Sequence, residues 1–526
     1  MMMRSFPRAR WAALASILVI TFLSGGWLLR PRPAATGGVY EQARLFEGVV
    51  GAINRHYIDS LAEGDLYQRA ADALVTSLHD PYAQLLIKDS YRDYQRQMAG
   101  TEVDLERGPA ESGWEGRSGG NVIAPGDEVL AIDGESTKGW SPDRIDETLR
   151  RAGGPTVTVV VRPRGASEPV IRRFTRTEVH VSAASRGLLL DHGVGYVVLR
   201  RMSAGSADEL RAAVDTLVSQ GMTSLVLDLR SNPGGLIREG VAIAGLFLQP
   251  GDTVATSVGR SWKRPKSYLA EAPGSWDGLR LAVLVNRGTA SAAELVAGAL
   301  QDHDRAVLVG TPTYGKGVLQ TTYPIGDEVA LKLTTARWFT PSGRTVQRPR
   351  PDSAGGPGNR LPSTRPHVFY TSGGRVVPDA SAILPDLLVR SMPRSQGERL
   401  LADRLGDEMN RFRDVVAGYA AEVRAGQTSQ QAALAITPER RDSLFARLEE
   451  ASVHLDRGTY DLAQGYIAEQ LGIELTRAFF GSESVLRRKA RSDRQLQAAL
   501  QVMRGAPSQD DVLTAAMKAQ LSGKVR

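Results

Sequence analysis

The chain is 526 residues long, 42% hydrophobic and 23% charged, with a net charge of +7 and no cysteine. Its length exceeds one typical core and its composition is globular, so two to four folded domains are expected and a mostly disordered chain is excluded. Lack of cysteine excludes disulfides, thiolate zinc sites and a cysteine nucleophile; local basic clusters such as RRKAR (487–491) read first as solvated faces, and the lack of a long basic stripe with interleaved aromatics argues against a nucleic-acid partner.

Arg4, Arg8 and Arg10 precede the uncharged run Trp11–Leu29. As a helix that run would span roughly 28 Å, close to the roughly 30 Å hydrocarbon core of a bilayer. Residues 1–38 therefore read as an uncleaved signal anchor followed by the linker PRPAATGG, with a cleaved signal as the alternative. On a bacterial reading the body lies outside the cytoplasm, on the periplasmic side of the inner membrane. Arginines on both flanks, Arg30 and Arg32 included, leave the orientation less marked.

From Val39 to about Ser90, Leu45, Phe46, Val49, Val50, Ile53, Leu74 and Leu78 recur at helical spacing, so residues 39–95 are expected to form a helical region. Residues 96–180 change to glycine-rich turns and short strands, among them GDEVLAIDG and TVTVVVRP. From Gly195 strands and helices alternate: GYVVLR, SADELRAAVDTLVSQG, SLVLDLR, LIREGVAIAGLFL, RLAVLVN, SAAELVAGALQD and RAVLVG. That is the pattern of a mixed α/β layer fold over residues 181–392. Residues 393–526 are nearly all helix-forming, TPERRDSLFARLEEA opening on a threonine cap with proline at the first helical position. Packing or dimerisation is the expected use of this extension.

Three stretches could carry chemistry. The run GTPTYGKG (310–317) is one residue from a phosphate-binding loop, but Gly317 stands where serine or threonine should hold magnesium. Pro324 and Gly326 also come too soon for the helix such a loop needs. Ser291 lies just past a strand and opens a helix. SAAE fits a capping box with Glu294 reaching back, and a serine there is equally placed to be a nucleophile beside helix-start amides. LDLRSNPGG (227–235) runs from a buried strand into a turn that is either plain turn chemistry or an amide nest for an oxyanion. His303, at the far end of the helix after Ser291, would be roughly 18 Å away. Lys316, on a loop after the next strand, is the better base, because such loops gather at the strand C-terminal ends. No histidine–carboxylate spacing suggests a metal, and no cofactor is implied.

Taken in order, LHDPYA, GDEVLAIDG, GYVVLR, LDLRSNPGG, VLVNRGTASAAE, GTPTYGKGVLQ, LTTARWFTPSGRTVQ and VVPD resemble the carboxy-terminal processing peptidases, or tail-specific proteases, over about residues 39–390. The resemblance implies a serine endopeptidase acting on exported, unfolded or C-terminally exposed proteins. It implies Ser291 as nucleophile, Lys316 as general base and Gln320 as the residue that orients the lysine. The Gly234 and Ala292 amides would form the oxyanion hole. An ordinary lysine is neutral only about 0.04% of the time at pH 7, so Lys316 must be desolvated, and it is expected to be largely neutral when substrate is bound. Gln320 can accept from the amine without adding a counter-charge. The family also implies a PDZ domain. Here only its second half, from APGDEVLAIDG onward, is recognisable, and MAGTEVDLERGPAESGWEGRSGGNVI stands where a carboxylate loop and groove should be. A homodimer or an adaptor is a further expected partner. The alternative function is a catalytically silent relative serving as an extracytoplasmic binding or scaffold protein, against which the intact Ser, Lys and Gln weigh.

Overall fold

A computed structural model describes residues 37–107, 123, 127–140, 142–150, 154–163, 166–260, 264–271, 276, 278–348, 368–426 and 435–523. The apolar run Trp11–Leu29 lies outside the described residues, as does most of the stretch expected to stand for the first half of a PDZ domain. Among the described residues no helix is long and apolar enough to cross a membrane.

The chain divides into two compact units after Leu78. The first holds helices α1 (Gly37–His56) and α2 (Glu63–Thr76). Phe46 and Tyr67 meet with ring centroids 6.0 Å apart, and Val50, Leu66 and Val75 are buried.

The second unit begins with β1 (Gln84–Ile87) and α3 (Asp89–Ala99). The helical texture expected through Ser90 is therefore interrupted: residues 84–87 are a strand, because they find a partner strand some 245 residues later. Next comes a five-stranded antiparallel sheet built from β2 (Thr101–Arg107), β3 (Glu128–Ile132), β4 (Glu135–Ser136), β5 (Thr156–Arg162) and β6 (Val170–His180), in the order β2-β6-β5-β3-β4. Val157, Val159 and Val161 alternate inward along β5 and pack with Ile132, Phe174 and Leu149, the last from α4 (Pro142–Arg150).

The α/β layers then form as the alternation predicts. Strands β7 (Leu188–Leu190), β8 (Val194–Val198), β9 (Ser224–Asp228), β12 (Arg280–Val285), β13 (Val307–Gly310) and β18 (Leu387–Leu388) make one sheet, ordered β18-β13-β12-β9-β8-β7. All its pairings are parallel except that of edge strand β7. Its central strands are apolar at nearly every position because both faces are covered. Leu225, Leu227, Leu281, Val283 and Val285 face a core shared with α5 (Ser206–Ser219), α6 (Ile237–Gly245) and α7 (Ala292–Asp302). Val226, Ala282 and Leu284 face the opposite core.

A second sheet stands beside the first. It contains β10 (Thr253–Gly259), β11 (Lys266–Leu269), β14 (Val318–Gly326) and β15 (Val329–Phe339) together with β1, in the order β1-β15-β10-β11 with β14 also on β15. A small hairpin, β16 (Val368–Tyr370) with β17 (Val376–Pro378), comes next.

The C-terminal extension is helical, as its sequence predicts, and it has two parts. Helices α8 (Gln396–Leu405), α9 (Met409–Gly426), α10 (Pro438–Glu450) and α11 (Arg457–Leu462) form their own core with the first half of α12 (Gln464–Ser492). Thr437 caps α10 as expected. The end of α12, α13 (Arg494–Met503) and α14 (Gln509–Ser522) instead cover the second face of the parallel sheet, burying Ala490, Leu496, Ala499, Val502, Val512 and Ala516 against it.

Candidate active site

Ser291 sits where buried β12 gives way to α7. The turn that carries it is pinned from both sides: Thr289 Oγ1 donates to the Leu229 carbonyl (2.8 Å), Ala290 N–H to the Asn232 carbonyl (2.9 Å), and Tyr314 N–H to the Thr289 carbonyl (2.9 Å). Glu294 reaches back to the Ser291 amide (2.9 Å), the half of a capping box that the SAAE spacing predicts. Capping does not account for the backbone, however. A capping residue is normally extended, whereas Ser291 has φ +55° and ψ −119°. A non-glycine residue held there costs about 1–3 kcal/mol.

Glu294 does more than cap. It is fully buried, and its Oε2 accepts from both Ser291 N–H and Lys316 N–H (2.8 Å). Its Oε1 accepts from Gly315 N–H (2.7 Å) and Thr313 Oγ1 (2.6 Å). One carboxylate thus joins the serine turn to the lysine loop. Burial pushes its pKa up while these four donors work in the opposite sense. Gly315 is required where it stands: its φ is +93°, and a Cβ would collide with the Ser381 carbonyl.

Lys316 Nζ donates to Gln320 Oε1 (2.8 Å) and lies 4.6 Å from the Tyr82 ring centroid. Gln320 is itself held by its own donation to the Tyr82 carbonyl. A bulge between Leu319 and Gln320 in the β14–β15 pairing re-aims the glutamine. Burial, then the like charge of Lys332, bring the Lys316 pKa down to about 8, while Asp80 and Glu294 oppose the shift. At neutral pH roughly a tenth of the amine is therefore neutral, a large gain over a free lysine but short of the neutrality expected for the bound state. Nζ makes no hydrogen bond to the Ser291 hydroxyl among the described residues. The phosphate-loop reading fails on structure as on sequence: Lys316 leads into strand β14 and not into a helix, and its amine faces Gln320 and Tyr82.

The turn after β9 abuts the serine. Gly234 has φ +85°, and a Cβ there would stand 2.6 Å from the Ala290 carbonyl oxygen and 2.8 Å from the Ala292 nitrogen. The two amides expected to bind an oxyanion are therefore neighbours. The Ala292 amide opens α7, where a helix leaves its first donors without intrahelical acceptors. The Gly234 amide differs from expectation: it donates to Asn232 Oδ1 (2.9 Å). Asn232 is buried and tied by its Nδ2 to the Leu199 carbonyl (2.8 Å).

From the sequence Glu294 is legible only as a cap, because local spacing shows Ser291 but not the lysine loop it also holds. Tyr82 is not legible there at all, its partners being remote in sequence. His303 ends α7, with its Nε2 2.8 Å from the Thr253 carbonyl oxygen, and takes no part. Among the described residues no group of three or more histidines, aspartates or glutamates could hold a metal.

The model of the family described as peptidase family S41 matches residues 193–354, which contain all the residues above except Tyr82, Asp80 and Ser381. The carboxyl-terminal-processing protease of Synechocystis sp. is 33% identical over 298 residues, covering 53% of this chain and 68% of that protein. A probable CtpA-like serine protease of Staphylococcus haemolyticus is 29% identical over 323 residues, covering 58% of this chain; the chain spans 63% of that relative's length. Among solved structures, the photosystem II D1 C-terminal processing protease aligns at 28% identity over 58% of this chain and 89% of that one, with a TM-score of 0.34. The chain belongs to peptidase family S41, together with the carboxy-terminal-processing serine proteases.

Proposed function

We propose that the chain is a serine endopeptidase that cuts exported, unfolded or C-terminally exposed proteins through an acyl-enzyme on Ser291. Lys316 takes the Ser291 hydroxyl proton as the oxygen attacks the scissile carbonyl, then returns it to the leaving amine. Gln320 orients the lysine and leaves it easier to deprotonate than a carboxylate would. The Ala292 amide and the Gly234 turn receive the oxyanion, with Asn232 releasing or sharing the Gly234 N–H as the negative charge develops. A substrate chain covering the half-buried amine removes water from it and drives its pKa below about 8, towards the neutral form the step needs. The observation that carries this reading is the Glu294 carboxylate, which draws a strained serine turn and a desolvated lysine loop onto one oxygen. The run Trp11–Leu29 serves as the inner-membrane anchor that holds the body on the periplasmic side, and the small antiparallel sheet serves as the PDZ-like domain.

The test incubates the full-length chain and its Ser291→Ala variant with a disordered protein and monitors the products by mass spectrometry. Cleavage by the wild type alone is expected. Equal cleavage by both would remove Ser291 from the mechanism, and an intact substrate with both would favour the silent binding protein.

A further inference from the structure

The turn that abuts Ser291 is anchored at its root by a residue from the far end of the chain. Arg230 immediately precedes that turn. Its guanidinium binds Asp228 at the end of β9 (Nε to Oδ1, 2.9 Å; Nη2 to Oδ2, 2.6 Å). The same group reaches Asp493 with two further bonds (Nη1 to Oδ1, 3.0 Å; Nη2 to Oδ2, 2.6 Å) and Gln495 Oε1 (2.9 Å). Asp493 is also the cap of α13, accepting from the Gln495 and Leu496 amides. Gln495 in turn donates to the Val389 carbonyl just past β18 (2.7 Å). A planar fork held bidentately on two carboxylates fixes both distance and orientation.

Downstream of Arg230 the chain has little freedom left. Ser231 is held at φ +57° with its N–H donating to Asn286 Oδ1 (2.8 Å). Asn232 accepts from Ala290 N–H, and Gly234 lies against Ala290 and Ala292. A displacement of Arg230 is thus passed directly to the atoms beside Ser291. The family match ends at residue 354, so Asp493 lies well outside it.

We infer that Asp493, carried by the C-terminal extension, is a positioning residue for the active site: by clamping Arg230 it sets the Ser231–Gly235 turn in the register that Ser291 and the oxyanion require. The extension is then a working part of the peptidase, and not only packing or a dimer surface. This inference rests on the Ser–Lys reading above for its catalytic consequence, but the clamp itself is structural.

Serine caps a helix as well as aspartate does but is too short to hold the guanidinium, so Asp493→Ser cuts the clamp and keeps the cap. Asp456→Ser, at the cap of α11 in the same extension, is the control. Asp493→Ser is expected to lower kcat about tenfold or more with KM unchanged, with Asp493→Asn in between and Asp456→Ser like wild type. Hydrogen exchange of the full-length chain should rise over residues 229–236 and 289–292 in Asp493→Ser alone, with a fall in melting temperature that leaves the chain folded at the assay temperature. Wild-type kcat in Asp493→Ser, with Ser291→Ala inactive, would overturn the inference, as would unchanged exchange over those two segments. Activity retained by Ser291→Ala would instead break the Ser–Lys reading, and the exchange measurement would still decide the clamp.

Discussion

The two halves of the candidate site are built by different sheets and to different standards. Ser291 comes from the parallel sheet, at the end of a strand whose apolar positions are wholly buried. Its turn is held by Leu229, Asn232, Tyr314 and Glu294, enough to impose an unfavourable φ. Lys316 and Gln320 belong to the edge of the antiparallel sheet, where both side chains are only half-buried and the lysine touches one hydrogen-bond acceptor and one aromatic ring. Under the proposed Ser–Lys mechanism the difference matches the task of each group. A nucleophile needs a fixed trajectory, whereas a lysine base must change charge, which needs a partly dry surrounding without a carboxylate clamp.

Lys316→Met probes the second half most severely. Loss of a general base should lower kcat/KM about 10²–10⁴-fold, while the same variant melts higher than wild type at neutral pH. The sign is set by the folded pKa of about 8, below the ordinary 10.5. The unfolded chain binds this proton more tightly, so below about pH 8 the buried charge lowers stability. Wild type recovers that loss as pH rises from about 8 towards 10.5. Thermal melts of both proteins across that window would show the gap closing, and a gap independent of pH would refute the assignment.

Glu294→Gln attacks the joint between the halves. An amide NH2 set against backbone N–H groups leaves at least one of them without an acceptor, at about 1–3 kcal/mol for each donor. Activity should fall about 100-fold through the displaced lysine loop. A melting temperature equal to wild type would mean that the joint is not structural.

The smallest expected effect is electrostatic. Lys332, itself half-buried on β15 with its pKa lowered by burial, is the like charge that helps depress Lys316. In wild type the rise of kcat/KM with pH should have an apparent pKa of about 8. Lys332→Met should move that rise to higher pH by less than about one unit and leave the plateau unchanged. A shift to lower pH would sharpen the comparison the other way, making the packing around Lys316 dominate over its charged neighbours.

The features readable from the chain alone were those that local order encodes. The strands at 194–198, 224–228, 280–285 and 307–310 announce themselves as apolar runs, since a sheet covered on both faces needs them. The helices from Ser206, Ile237 and Ala292 are set by apolar spacing, and only the last has a side-chain cap, the Ser291–Glu294 box; the serine cap expected at Ser206 does not form, Gly205 standing at that position instead. Ser291, Lys316 and Gln320 were nameable because their motifs are short and ordered along the chain. Other features belong to tertiary structure. Residues 84–87 are a strand only because β15 is there to pair with them. Gly234 was legible as a turn glycine, but the use of its amide by Asn232 depends on a side chain folding back in space. Glu294 reads as a cap until Thr313, Gly315 and Lys316 are brought to it. Nothing in the sequence around Asp493 sets it apart until the extension folds under the sheet and sets it on Arg230, 263 residues away. Periodicity and capping are properties of neighbours in sequence, whereas a shared carboxylate or a two-sided ion pair exists only after distant segments meet. For that reason the identity of the candidate residues was written in the chain, and their mutual geometry was decided by the fold.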